Sequence, residues 1–140
     1  MKKKGFTLVE LLAVIAILAI LVIIALPNVI GLFQSAQKNS FVNEVREVYR
    51  QASNQWLLDG MQAGAEKKYS SKSSGCTALQ LTGRSVKYNV TVNASGKITK
   101  LEVDDGSKYK YSKTNTSGIE ITDISATDIA DTYAAITEGC

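Results

Sequence analysis

Glu10 is the residue of this sequence best placed to do chemistry, because it is the one acid inside a long apolar run. Residues 2–33 read KKKGFTLVELLAVIAILAILVIIALPNVIGLF, and Leu11 to Leu26 carries no polar side chain. An acid at the centre of a bilayer costs about 2.5 to 3.5 kcal/mol on insertion scales, and an unpaired carboxylate nearer the end remains unfavourable. Glu10 therefore calls for a partner. No base lies within the run, and Lys2, Lys3 and Lys4 reach it only by snorkelling back along the chain. The alternative partner is a new amino terminus. A cut after Gly5 places an α-ammonium on Phe6, and a neighbouring helix shifted along its axis brings that ammonium onto Glu10. The charge pair is then a contact between subunits.

Catalysis finds few parts elsewhere. The chain has no histidine, no Gly-rich phosphate loop and no spaced cluster of metal ligands, so common triads, zinc sites and nucleotide sites lack their components. The reading is a protein without turnover, cofactor or metal. Asp104-Asp105-Gly106 offers two carboxylates to calcium, but that ion wants six to eight oxygens, and a hairpin turn is the better account. Lys108-Tyr109-Lys110-Tyr111 has the alternation of an exposed strand more than the character of a nucleic-acid surface. The sequons at Asn89, Asn93 and Asn115 read as compositional in a chain rich in Ser, Thr and Asn.

The apolar run is long enough to cross a bilayer, which takes about 20 mostly apolar residues. Basic residues beside such a span stay on the cytoplasmic side, so everything after Phe33 faces outward. A cleaved secretory signal would have a shorter apolar core and a small-residue cleavage site, and Ala25-Leu26-Pro27-Asn28 supplies no such pattern. Pro27 brings no amide and clashes with the carbonyl of Ile23, so a kink or local melting is expected from Ile23 to Gly31. Beyond the span, Phe41, Val45, Val48, Ala52 and Trp56 recur at helical spacing among charged residues. The helix is predicted to reach Asp59, with Gly60 as its stop. An unbroken helix from Phe6 to Asp59 would be roughly 80 Å long.

Gly64 to Gly75 reads as a linker or exposed loop. Val86, Tyr88, Val90 and Val92 then alternate with polar residues as a half-buried strand ending at Asn93-Ala94-Ser95-Gly96. Ile98, Leu101 and Val103 give a second, and Tyr109 with Tyr111 a third, completing an antiparallel meander whose apolar face lies on the helix stripe. In the tail, Ile119 and Ile121 suit a further strand and Asp128 to Ile136 shows weak helical periodicity. Cys76 precedes the meander and Cys140 is the last residue. An even count in an externally exposed domain favours a Cys76–Cys140 disulfide, contributing about 4 kcal/mol in the chain-entropy model. Two unpaired thiols or a lipid-modified site are the alternatives.

The predicted organisation is a leader (1–5), an apolar helix (6–31), an amphipathic helix (32–60) and a β-rich head with a C-terminal region (61–140). The fold class is α+β: a long N-terminal helix packed on a small antiparallel sheet. Removing Lys2, Lys3 and Lys4 from the 16 basic residues leaves 13, equal to the 13 acidic ones. The net charge of +3 thus belongs to the leader and is no nucleic-acid footprint.

Gly5-Phe6-Thr7-Leu8-Val9-Glu10 followed by an apolar helix resembles the class III signal of type IV pilins and the related pseudopilins. The likeness covers Lys2 to about Gly31. It implies that a membrane aspartyl protease, the prepilin peptidase, cuts after Gly5 and methylates the new amino terminus on Phe6, and that Glu10 recruits or registers a neighbouring subunit. In the family it resembles, a proline at the position of Pro27 marks a helix segment that loosens in the filament, and many members close a C-terminal region by a disulfide.

The same likeness implies a homo-oligomeric filament, an inner-membrane assembly platform as partner, and residence in the cell membrane as a single-pass protein before assembly into a cell-surface pilus. A pseudopilin of type II secretion or a competence pilin, which alone would bring nucleic acid as a partner, shares the same stem. A non-assembling domain tethered by the span is the alternative of another class.

Overall fold

The computed structural model describes residues 5–60, 65–72, 75–131, 135–137 and 139. A single long helix α1, Leu8–Leu58, is followed by strands β1 (Lys67–Ser70), β2 (Lys87–Val92), β3 (Ile98–Asp104), β4 (Lys110–Thr114) and β5 (Ile129–Ala130). Two 3-10 turns, Ile121–Asp123 and Ala126–Asp128, stand before β5. The chain divides into two compact units, Met1–Gln37 and Lys38–Cys140.

In the first unit every described side chain is exposed, including all the large apolar ones from Phe6 to Phe33. The most apolar window of α1 has a mean hydropathy of 3.2 and is long enough to cross a membrane. The helix assignment continues through Pro27 and Gly31. Pro27 still leaves the Ile23 carbonyl without its usual amide, and a few residues on the Ser35 hydroxyl donates to the Gly31 carbonyl at 3.0 Å.

In the second unit, α1 buries Phe41, Val42, Val45, Val48 and Ala52, with Trp56 half-buried beside them. The positions 41, 45, 48 and 52 are the 3.6-residue stripe that the sequence shows, and Val42 widens it. Burying each of the Phe and Val side chains contributes about 1.5 to 3 kcal/mol. The helix ends where Gly60 takes φ +81°, the left-handed conformation that glycine adopts without steric cost. Just before it, Asp59 accepts from Gln55 (2.9 Å), pairs with Lys67 (3.0 Å) and accepts from the Tyr69 hydroxyl (3.1 Å). The Gln55 bond, followed by the Lys67 contact, holds its carboxyl below the usual range.

The sheet is antiparallel with strand order β1-β2-β3-β4-β5. Its register builds two apolar rows facing α1: Tyr69, Val90 and Leu101, and Tyr88, Val103, Tyr111 and Ile129. Phe41 stacks on Tyr109 with ring centroids 6.0 Å apart. Burial pushes the Tyr111 phenol up to about 12.

Three expectations change. The meander has five strands, because the stretch read as a linker from Gly64 to Gly75 contains β1. Its Lys67 and Lys68 disguised an edge strand whose Tyr69 is fully buried and bridges Thr77. In the tail, Ile119 is buried in a loop and Ile121 starts a 3-10 turn, so no strand forms there. The helical periodicity from Asp128 onward gives way to β5, which pairs Ile129 with Tyr111; residues 132–134 lie outside the described ones.

The β2–β3 turn is tight against α1. Gly96 has φ +80°, and a Cβ there would meet the Trp56 ring at 2.7 Å. Gly106 has φ +76° and nothing within 4 Å. Gly96→Ala should therefore cost about 2 to 3 kcal/mol, adding overpacking to left-handed strain, and Gly106→Ala only about 1. Thermal unfolding of the two variants in detergent checks the difference, and equal losses would mean that Trp56 yields.

Candidate processing and assembly site

The site lies at the start of α1. Gly5, Phe6 and Thr7 are not helical and the helix begins at Leu8. Thr7 is the residue that starts it. Its carbonyl accepts from the Leu11 amide at 3.2 Å, and its hydroxyl accepts from the Glu10 amide at 3.3 Å. In return, Glu10 Oε2 accepts from the Thr7 amide at 2.8 Å and from the Thr7 hydroxyl at 2.9 Å. This is a capping box, in which two amides that the first turn leaves unpaired are satisfied reciprocally.

The capping box corrects one expectation. The apolar surroundings of Glu10 pointed to a carboxylate with no local partner, but Thr7 provides one. The pattern Ser/Thr-x-x-Glu before an apolar run is present as Thr7-Leu8-Val9-Glu10, so the acid has a hydrogen-bonding role at the helix start that is separate from its charge. The cap uses hydrogen bonds and leaves the charge itself unneutralised. Both bonds to the carboxylate converge on Oε2, so Oε1 keeps acceptor capacity for an incoming cation. Phe6, Glu10, Leu11, Ala13 and Val14 line a shallow, mainly apolar groove on the same surface.

Gly5 and Phe6, the residues flanking the expected cut, are exposed and lie outside the helix, ahead of the cap. Lys2, Lys3 and Lys4 lie outside the described residues. Pro27 and Gly31 sit within α1, well beyond this site. Cys76 is half-buried just after β1, and no described cysteine is free. Its expected partner, Cys140, lies outside the described residues.

The two acids of the β3–β4 turn are engaged by that turn. Asp104 accepts from the Gly106 amide at 2.7 Å, and Asp105 Oδ1 accepts from the amides of Ser107, Lys108 and Tyr109 at 2.8 to 3.0 Å. Among the described residues no three potential metal ligands cluster. Of the sequon asparagines, Asn89 is buried with both ends of its amide bonded. Asn93 and Asn115 are tied into turns by their own side chains.

The prokaryotic N-terminal methylation motif matches residues 1–26. The chain thus carries the type IV pilin signal, on a pilin-like α+β fold of one long helix packed on an antiparallel sheet. That signal points to a structural protein, and the exposed apolar helix fits a membrane anchor. No match was found among curated proteins or among solved structures.

Thr7→Ala should remove the cap at a cost of about 1 kcal/mol, a factor of about five in local opening. Amide exchange in detergent micelles should show the Glu10 and Leu11 amides exchanging that much faster, with amides near Ala19 unchanged. Equal protection in both proteins would show that the box does not hold the first turn.

Proposed function

We propose that this protein is a structural subunit of a type IV pilus or a related filament. The observation that carries the reading is the methylation motif placed on a helix whose first half finds no burial within its own chain. In the precursor that half resides in the membrane, with the leader cytoplasmic and the head outside. The prepilin peptidase cuts between Gly5 and Phe6 and methylates Phe6. The inner-membrane assembly platform then moves the stem from lipid into a bundle of identical stems at the cell surface.

Glu10 provides register during that transfer. The Phe6 ammonium of an incoming subunit meets the open acceptor capacity of a neighbour's Glu10, and a charge pair in apolar surroundings discriminates strongly against misplacement. Pro27 and Gly31 are where the stem loosens once packed, since the Ile23 carbonyl already lacks its donor. A Cys76–Cys140 disulfide closes the head in the oxidising space outside the membrane.

Mass spectrometry of the exported protein should find N-methyl-Phe6 as the first residue, and an intact Met1 or a cut near Ala25 would refute the processing step. Glu10→Ala should abolish or severely reduce filaments, seen by electron microscopy of sheared cell-surface material, while the processed subunit still accumulates in the membrane. A domain that uses its span only as a tether would be indifferent to that change.

A further inference from the structure

The face of the sheet turned away from α1 carries a polar row in register across four strands: Ser70, Asn89, Glu102 and Ser112. Asn89 is its centre and is only 9% exposed. The Ser70 hydroxyl donates to Asn89 Oδ1 at 2.9 Å, and Asn89 Nδ2 donates to Glu102 Oε2 at 3.4 Å. The other two bonds of the amide go to the C-terminal tail. Asn89 Nδ2 donates to the Thr137 carbonyl at 2.6 Å, and the Gly139 amide donates to Asn89 Oδ1 at 3.3 Å. One buried side chain thus holds the tail by its backbone, with Ile136 buried next to it.

Both ends of this clasp lead to a cysteine. Gly139 immediately precedes Cys140. On the other side Ser70 follows Tyr69, which bridges Thr77, the neighbour of Cys76. We propose that Asn89 is a positioning residue for the Cys76–Cys140 disulfide: it docks the tail on β2 so that the two thiols meet. The proposal rests on the reading that these cysteines pair. More than sixty residues separate them in sequence, and closing a loop of that length costs entropy that a docked tail has already met.

The chemistry is thiol–disulfide exchange with a disulfide oxidant, such as an extracytoplasmic dithiol oxidoreductase in its oxidised form. One cysteine thiolate attacks the oxidant's disulfide, forming a mixed disulfide and expelling one oxidant thiolate. The second cysteine thiolate then attacks the first cysteine's sulfur and expels the other. Two electrons pass to the oxidant, which leaves as a dithiol carrying the two protons.

The test uses the full chain in detergent micelles, equilibrated over a series of reduced-to-oxidised glutathione ratios. Thiol trapping and intact mass report the bridged fraction. Asn89→Ala should lower the effective concentration of the dithiol by about fivefold or more. Gly139→Pro removes the tail's donor to Oδ1 and leaves the sheet untouched, so it should shift the equilibrium in the same direction even if Asn89→Ala disturbs folding. Ser112→Ala, in the same polar row but without a tail contact, should behave as wild type. Wild-type equilibria in both Asn89→Ala and Gly139→Pro would overturn the proposal. So would a shift in Asn89→Ala alone, which would mark a general role in the sheet. A wild-type chain that forms no bridge at any ratio would instead overturn the pairing itself.

Discussion

The burial of one stripe of α1, Phe41, Val45, Val48 and Ala52, against the two apolar rows of the sheet is the interaction on which the head depends. A sheet of short strands, the longest of seven residues, has little stability with one face bare. The helix supplies the missing face. The same helix, from Leu11 to Leu26, carries apolar side chains all round, and a helix of that kind belongs in lipid or in the core of a larger assembly. One continuous element therefore has two solvents, and the change from one to the other begins where Gln34, Ser35 and Gln37 interrupt the apolar run, just ahead of Lys38, Asn39 and Ser40.

The parts legible in the sequence were those with a strong period. The 3.6-residue stripe and the twofold alternation of Val86 to Val92 each specify a buried face, and both faces meet as expected. β1 was not legible, because an edge strand of four residues with two lysines has the composition of a loop, and Tyr69 is its one member of the apolar core. β5 was hidden for a different reason: two residues are too few for any period, and their place is set by pairing with Tyr111. The capping box is legible as Thr7-x-x-Glu10, a spacing in which the carboxylate's hydrogen-bond capacity acts independently of its charge. The polar clasp at Asn89 could not be read at all, because its partners in the tail are backbone atoms 48 and 50 residues away.

The two faces of the sheet divide the work of specifying the fold. The inner face is apolar and tolerant of small changes in packing, but the outer row of Ser70, Asn89, Glu102 and Ser112 fixes which strand lies beside which. A slip of one residue would carry these polar groups into the core and leave them unpaired, at a cost of about 1 to 3 kcal/mol each. Register is thus enforced from both sides.

Thr7 and Glu10 both stand downstream of the Gly5–Phe6 bond. A cut there takes away three positive side chains while every hydrogen bond that starts the helix stays with the product. The bonds that start α1 are thus independent of the residues before Gly5, and a cut at that bond would alter the charge beside the cap while leaving the cap's own bonds in place.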